Sequence, residues 1–361
     1  MIEDVRLDRL RIPLQEPYKL SLGAVTAFDT ILARIVIDGR EGLGEATILT
    51  GYTDETIDDG WARARALAPR LAGCSGEAGK DLAEAELAGA PFTLTAFVSA
   101  IEMAQGHSLL SVDAECGVPL LAGINATDAV GIEREIEAAV ANGYRTLKIK
   151  AGFDPDADLQ RVAFIQRCNA GRAKLRVDAN QGYGRHDGVR FAASLSPDSI
   201  ELLEQPCAAS DWDAAAAVAK VANVPLMLDE SIYDLEDIKR AGALGAAFVK
   251  LKLMKMCGLT RLVQGLQLIR ELGMQPVLGN GVASDVGCWM EACVARQHID
   301  SAGEMNGFLR QQKALAAELI EVTGGNMILR AGAPALDPSR VSAARVAQAH
   351  ARAPAKSRRT S

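Results

Sequence analysis

The sequence lacks a long apolar run, an excess of basic residues and any regular cysteine spacing. Its 361 residues contain no stretch of about 18 consecutive apolar residues, which a membrane-spanning helix requires. The 39 lysine and arginine residues are outnumbered by 46 aspartate and glutamate residues, which gives a net charge of −7. A nucleic acid or an anionic membrane surface would require a basic face. We therefore expect neither a nucleic acid nor a membrane as a partner.

The seven cysteines are scattered along the chain and never occur as Cys-x-x-Cys. An odd number at irregular spacing is typical of free thiols in a reducing compartment, and it argues against a disulfide framework or a zinc site. The chain opens with Met1-Ile-Glu-Asp4, whereas a signal peptide would open with basic and apolar segments. These features predict a cytoplasmic protein.

The N-terminal part of the chain, residues 1–117, reads as an α+β unit. Alternating apolar residues at 5–14 and 30–37 predict antiparallel strands, and the turn residues at 38–42 support this. Alanine-rich stretches with helical periodicity follow at about 54–72, 80–88 and 93–110.

From residue 118 to residue 325 a different rhythm predicts a β/α barrel. Eight short apolar segments recur at intervals of about 25 residues, each but the last followed by an amphipathic helix, and the weakest of them is 298–303. A doubly wound open sheet would give the same local pattern, but a count of eight favours the barrel. We therefore predict the α/β class.

Three successive predicted strands end in a carboxylate, namely Asp178, Glu204 and Asp229, about 25 residues apart. Because the carboxyl ends of barrel strands ring one mouth, these acids should share one space and repel one another. A hard divalent cation would remove that repulsion, and carboxylate oxygens suit Mg²⁺. The alternative is that each acid caps the helix that follows it. Three acids on consecutive strands favour the metal site.

Lysines flank these acids in two pairs. Lys148 and Lys150 lie two residues apart and therefore share one face of their strand, and Lys250 and Lys252 repeat this arrangement. Lysines inside a strand usually protect an exposed sheet edge, but a closed barrel has no edge. We expect these lysines to be functional or to act as counter-charges for the acids.

This layout predicts proton abstraction next to a carboxylate. A metal that binds a substrate carboxylate stabilises the enediolate formed when the α-proton leaves. A lysine could take this proton if its pKa fell from about 10.4 towards 7. A second lysine on the opposite face could return a proton there and invert the stereocentre.

Five segments resemble motifs of the muconate lactonizing enzyme subgroup of the enolase superfamily. They are, in chain order, Lys148-Ile-Lys150, Val177-Asp-Ala-Asn-Gln181, Glu204-Gln-Pro206, Leu228-Asp-Glu-Ser231 and Lys252-Leu-Met-Lys-Met-Cys-Gly-Leu259. The resemblance implies a modified TIM barrel with an N-terminal capping domain, which the segment 326–350 completes. We expect residues 351–361 to form a disordered tail.

The resemblance also implies roles for individual residues. Asp178, Glu204 and Asp229 correspond to ligands of Mg²⁺, with Mn²⁺ as a substitute. Lys150 and Lys252 correspond to the acid/base pair, and Lys148 to the residue that lowers the pKa of Lys150. We further predict substrate contacts, which would come from Asn180, Lys19, Tyr52, Asn280 and Glu304. A homo-oligomer is also expected.

The predicted activity is racemisation or epimerisation of an amino-acid-derived carboxylate, a small-molecule substrate. Two opposed lysines are what proton transfer to and from one carbon requires. Cycloisomerisation or syn-elimination from the same enediolate remains an alternative, since either reaction uses one lysine. More distant alternatives are a metal-free aldolase with a Schiff-base lysine and a barrel without catalytic activity.

Overall fold

The structure, a computed structural model, describes residues 1–20, 23–49 and 53–354, and of residues 19, 20 and 23 it describes the backbone alone. The chain begins with three antiparallel strands and three helices. They are β1 (Ile2–Leu20), β2 (Gly23–Ile37), β3 (Arg40–Thr47), α1 (Ile57–Leu71), α2 (Gly76–Glu86) and α3 (Pro91–Ala104). A short strand, β4 (Cys116–Pro119), leads into the next unit.

Seven parallel strands alternate with helices over the middle of the chain. In order they are β5 (Ala122–Ile124), α4 (Ala129–Ala141), β6 (Thr146–Lys150), α5 (Pro155–Asn169), β7 (Lys174–Asp178), α6 (Arg185–Ser194), β8 (Ile200–Glu204), α7 (Trp212–Val221), β9 (Leu226–Leu228), α8 (Leu235–Leu244), β10 (Phe248–Leu251), α9 (Leu253–Met256), α10 (Leu259–Glu271), β11 (Gln275–Leu278) and α11 (Asp285–His298). The strands pair in sequence order from β5 to β11. The predicted barrel with an α+β cap is confirmed.

The predicted eighth strand at 298–303 differs from the structure. The segment makes one parallel bridge, in which Gly303 donates to the Pro119 carbonyl at 2.9 Å and accepts from Leu121 N at 3.0 Å. Glu304 N donates to the carbonyl of Leu278 at 3.0 Å, so the segment still links β11 to the start of β5. The neighbouring carbonyl of Ala302 accepts from the buried Arg176 guanidinium at 2.9 Å, which replaces the strand contact expected there.

The C-terminal part of the chain returns to the N-terminal unit. It contains β12 (Val322–Thr323), β13 (Asn326–Leu329), α12 (Pro338–Ala344) and β14 (Arg345–Arg352). Strand β14 pairs antiparallel with β1 and completes a sheet of order β14-β1-β2-β3, which we call, with α1 to α3, the cap. Because β14 runs to Arg352, the tail predicted from 351 is wrong for its first two residues, while 355–361 lie outside the described residues.

Two buried glutamates of the cap bind the N-termini of barrel helices. Glu102 on α3 accepts from the backbone N–H groups of Leu259 at 2.6 Å and Thr260 at 3.0 Å, where α10 begins. Glu45 on β3 accepts from Ser284 N at 2.8 Å, just before α11. Carboxylates suit helix N-termini, whose N–H groups lack intrahelical partners. Since both helices follow the carboxyl ends of barrel strands, β10 and β11, the cap docks beside the mouth of the barrel.

Within residues 1–20, 23–49 and 53–354, no helix has the length and apolar character needed to cross a bilayer. The barrel helices pack their buried faces on the strands, and inside the barrel a separate apolar cluster of Leu202, Met227 and Val277 lies below the strand ends. The seven cysteines are free thiols, as the sequence predicts.

Gly44 allows α3 to lie directly on β3, because a Cβ there would be 2.1 Å from the carbonyl oxygen of Ala96. We expect Gly44→Ala to lower the free energy of unfolding by about 1–3 kcal/mol, the usual effect of overpacking. Thermal unfolding followed by circular dichroism measures the loss. The control is Gly242→Ala in α8, where the nearest side-chain atom is 3.4 Å away and alanine favours the helix. Equal melting temperatures for both variants would contradict the expectation.

Candidate active site

The three predicted carboxylates lie side by side at the mouth of the barrel. Asp178 ends β7, Glu204 ends β8, and Asp229 follows the last residue of β9. Asp178 and Glu204 are register partners on adjacent strands. All three residues are at most 2% exposed. The sequence therefore predicted correctly which acids share this space.

The predicted lysines contact these acids from both sides. Lys148 Nζ lies 2.9 Å from Asp178 Oδ2 and 3.0 Å from Glu204 Oε2, and Lys150 Nζ lies 2.7 Å from the same Asp178 oxygen. At the other end of the row, Lys252 Nζ lies 2.8 Å from Asp229 Oδ2. Lys150 and Lys252 thus contact the two outer acids, with Glu204 between them.

Lys250 and Glu304 complete the charge cluster. Lys250 Nζ lies 3.2 Å from Glu204 Oε1 and 3.5 Å from Asp229 Oδ2, and it contacts Glu304 Oε2 as well. The same Glu304 oxygen lies 2.9 Å from Lys148 Nζ. Lys250 therefore acts as a counter-charge, one of the two roles expected from the sequence.

The pKa values of the acids follow from these contacts. Burial raises the pKa of Asp178, but the ammonium groups of Lys148, Lys150 and Lys250 outweigh burial and hold it at about 2. The pKa of Asp229 is likewise well below its usual value, because nearby lysines outweigh its burial. Burial and the charge of Asp178 raise the pKa of Glu204.

The pKa values of two of the lysines follow from the same contacts. Burial favours neutral Lys252, but the charges of Asp229 and Glu230 outweigh it and raise the pKa of Lys252. The pKa of Lys148 is also raised, since Asp178, Glu204 and Glu304 outweigh its burial. A fall towards 7 is therefore absent for these two lysines as the cluster stands, because each is paired with carboxylates.

The remaining predicted residues are spread around this cluster. Asn180 lies inside it, where its Oδ1 contacts Lys150 Nζ and its Nδ2 donates to Glu230 Oε1 at 3.0 Å. Asn280 uses its amide locally, since Nδ2 contacts Met254 Sδ at 3.2 Å and Oδ1 accepts from Val282 N at 3.0 Å. Two predicted contacts, Tyr52 and the side chain of Lys19, lie outside the described residues.

Three residues of the site received no role from the sequence. Lys255 is buried, and its Nζ donates to the carbonyl and to Oδ1 of Asp229 at 2.8 and 3.2 Å. Burial lowers the pKa of Lys255 to about 8 although Asp229 opposes the shift. Arg161 holds the end of β6 by donating to the Lys150 carbonyl at 2.9 Å. Gln205 hydrogen-bonds to the backbone of Asp229.

The chemistry of the donor set fits a hard divalent cation, because three buried carboxylates supply only oxygen ligands. In the part of the chain that the structure describes, no three acid, histidine or cysteine side chains already converge on one point suited to a metal. The ammonium groups of Lys148 and Lys250 lie between neighbouring carboxylates. A cation at this site would therefore bind carboxylate oxygens that these lysines now contact.

Comparison with known proteins agrees with this architecture. Residues 131–335, more than half of the chain, match the family described as Enolase C-terminal domain-like. An L-Lys-D/L-Arg epimerase from Methylococcus capsulatus is 30% identical over 287 residues, covering 72% of this chain and 76% of the relative. An L-Ala-D/L-Glu epimerase from Clostridium acetobutylicum is 27% identical over 305 residues, covering 77% and 82%.

One solved structure extends the likeness to the whole fold. A dipeptide epimerase from Cytophaga hutchinsonii, complexed with Mg and the dipeptide D-Ala-L-Val, superposes with a TM-score of 0.86 at 21% identity. The superposition covers 97% of this chain and 99% of that one. The resemblance found in the sequence motifs is confirmed, and the chain belongs to the Enolase C-terminal domain-like family of the enolase superfamily.

Proposed function

We propose that this protein is an epimerase or racemase that removes and returns the α-proton of an amino-acid-derived carboxylate. The observation that carries the proposal is the placement of Lys150 and Lys252 at opposite ends of one row of three buried carboxylates. Proton transfer to either face of one carbon needs two such groups. The relatives named above support this reaction class, since they are epimerases.

Asp178, Glu204 and Asp229 would hold Mg²⁺, for which Mn²⁺ could substitute. The cation would supply positive charge to the substrate carboxylate and to the enediolate that forms when the α-proton leaves. The relative solved with Mg and a dipeptide supports this assignment. Oxygen ligands from three carboxylates are typical of such sites.

Lys150 and Lys252 would exchange the roles of base and acid according to the substrate's configuration. Either lysine takes the α-proton only when its Nζ is neutral, so its contact with Asp178 or Asp229 must weaken first. Both contacts would weaken if these carboxylates shared their negative charge with a bound cation. Lys148 contacts the same Asp178 oxygen as Lys150, so its positive charge also favours neutral Lys150.

The proposed substrate is a dipeptide or an N-acyl amino acid. Relatives include an L-Ala-D/L-Glu epimerase and an N-succinyl-L-Arg/Lys racemase. Both names describe substrates in which the amino acid is peptide-linked or acylated. Asn180, which touches Lys150, is the described polar residue best placed to contact the substrate. Lys19, Tyr52, Asn280 and Glu304 stay predictions as substrate contacts. We infer a homo-oligomer from the family resemblance and a cytoplasmic location from the scattered free cysteines.

Proton exchange with solvent tests the assignment of the two lysines. With Mg²⁺ in D₂O, we expect the wild type to exchange the α-proton of such a substrate and to form both configurations. Lys150→Ala and Lys252→Ala should each lower epimerisation by about 10²–10⁴-fold, the usual contribution of general acid–base catalysis. Each variant should still exchange, without inversion, the configuration whose proton faces the remaining lysine. Proton NMR measures both effects.

The matched control for this experiment is Lys239→Ala, an exposed lysine on α8 that pairs with Glu236. It should epimerise at the wild-type rate. Unchanged epimerisation by both active-site variants would contradict the proposal. A product with a new carbon skeleton would instead support cycloisomerisation, and loss of water would support elimination. Trapping of a carbonyl substrate by borohydride would point to a Schiff-base lysine.

Metal removal tests the role of the carboxylates. We expect EDTA to abolish exchange and added Mg²⁺ or Mn²⁺ to restore it, because the enediolate loses its counter-charge without the cation. Glu204→Gln should weaken Mn²⁺ binding measured by electron paramagnetic resonance, since an amide is a weaker ligand than a carboxylate. The control is Glu201→Gln on the same strand, whose side chain pairs with Arg176. Full exchange in the presence of EDTA would refute the metal assignment.

A further inference from the structure

Gln205 follows Glu204 directly, and this uncharged polar residue is only 1% exposed at the mouth of the barrel. Its backbone has a φ of 36°, a left-handed conformation that is uncommon for residues other than glycine. Residues held in such conformations cluster at functional sites. The hydrogen bonds of the buried amide account for its position.

The side chain of Gln205 continues the pairing between β8 and β9 beyond the last backbone contact. The ladder between these strands ends with Glu204 opposite Met227, and Gln205 N donates to the Met227 carbonyl at 2.9 Å. The backbone N–H of Asp229, just after β9, donates to the side-chain oxygen Oε1 of Gln205 at 3.0 Å. Gln205 thus orients the backbone that carries the Asp229 carboxylate.

The same side chain is saturated by three further hydrogen bonds. Its Oε1 also accepts from Ser231 N at 3.2 Å, and its Nε2 donates to Ser231 Oγ at 2.9 Å and to the Cys207 carbonyl at 3.1 Å. Four contacts fix the amide in one orientation, because the oxygen only accepts and the nitrogen only donates. The side chain has no mobile polar group left for a substrate.

The backbone of Gln205 also contacts the segment that follows β7, the strand that carries Asp178. Its carbonyl accepts from Gln181 N at 2.8 Å, three residues after Asp178, while Ala179 N donates to the Glu204 carbonyl at 3.1 Å. Gln205 therefore touches the segments that follow both outer acids and is itself joined to the central acid. Gln205 thus forms hydrogen bonds with residues at or just after the carboxyl ends of β7, β8 and β9, namely Gln181, Cys207, Asp229 and Ser231.

From this geometry we propose that Gln205 is a positioning residue that sets the spacing of Asp178, Glu204 and Asp229 for the divalent cation. The inference rests on the proposed function, because it takes these acids as the metal ligands. Partners that orient metal ligands typically change metal affinity by 10–100-fold when they are removed. Since Gln205 is neutral, its replacement by an apolar residue changes the geometry of the site and leaves its charge constant.

The test is the affinity of Gln205→Met for Mn²⁺, titrated without substrate and followed by electron paramagnetic resonance. Methionine has a similar length and removes all four side-chain hydrogen bonds. We expect 10–100-fold weaker binding and an altered spectrum of the bound ion, because the three carboxylates no longer hold one spacing. A residue that only stabilised the fold would lower the melting temperature and leave the spectrum of the bound ion unchanged.

Two controls separate positioning from general loss of stability. Gln181→Met alters a glutamine near Asp178 whose side chain instead accepts from Ala209 N at 2.8 Å, so Mn²⁺ affinity should stay within about threefold of wild type. Gly44→Ala destabilises the cap by crowding α3, leaves every hydrogen bond of Gln205 in place, and should also retain affinity. Should Gln205→Met fail to fold, Gln205→Asn keeps the amide but shortens it, and we expect weaker Mn²⁺ binding for the same reason.

Wild-type affinity and an unchanged spectrum in a folded Gln205→Met or Gln205→Asn protein would overturn the inference and leave the proposed function intact. Equal weakening by Gln181→Met or Gly44→Ala would also overturn it, because the effect would then not be specific to Gln205. A wild-type protein that binds no Mn²⁺ would instead overturn the metal site on which the proposed function depends.

Discussion

The burial of three like charges at neighbouring strand ends is the constraint on which the rest of this structure depends. Two unit charges about 4 Å apart repel by about 4 kcal/mol at the effective dielectric constant of a protein site. Each acid therefore contacts at least one ammonium group, supplied by the strands on either side of the row. The same pairing of opposite charges occurs where the barrel closes, because the Glu304 carboxylate contacts the ammonium groups of both Lys148 and Lys250.

The pairing that allows these groups to be buried also opposes the chemistry proposed for them. A lysine in contact with a carboxylate keeps its proton, and the raised pKa of Lys252 reflects this. Catalysis by such a cluster requires that another positive charge compete for the same oxygens. Lys250 can remain paired in that process because it also contacts Glu304. The cluster therefore contains both lysines that could release a proton and lysines that hold the acids in place.

The sequence predicted the elements whose own residues determine their structure. Strands β7 and β8 end at Asp178 and Glu204 as predicted, because each is a short apolar segment that ends in a polar residue and is bordered by helices on both sides. The eighth segment could not be predicted in this way. Its carbonyl at Ala302 is bound by Arg176, which is 126 residues away in the chain. Long-range contacts of this kind leave no local pattern.

Within the site, the residue types in the sequence predicted which side chains lie close together, but they did not predict which acid each lysine contacts. Alternation placed four lysines inside the barrel, yet which acid each contacts depends on the strand neighbours and on Glu304. The sequence analysis required a lowered pKa for a catalytic lysine but did not include the carboxylate contacts, which raise the pKa of Lys252. The role of Gln205 was missed since its amide reaches a backbone N–H on the next strand.

The two glutamates that attach the cap to the barrel bind mainly backbone N–H groups. Glu102 and Glu45 bind backbone N–H groups at the starts of α10 and α11, and the hydroxyl groups of Thr260 and Ser284 add one contact to each glutamate. Mutations of side chains other than Thr260 and Ser284 at these helix starts would preserve the attachment, provided that the helices still begin at the same residues. Such a joint lets the residues around the mouth of the barrel diverge between descendants of one gene. New substrate preferences can then arise without a new interface between the two units.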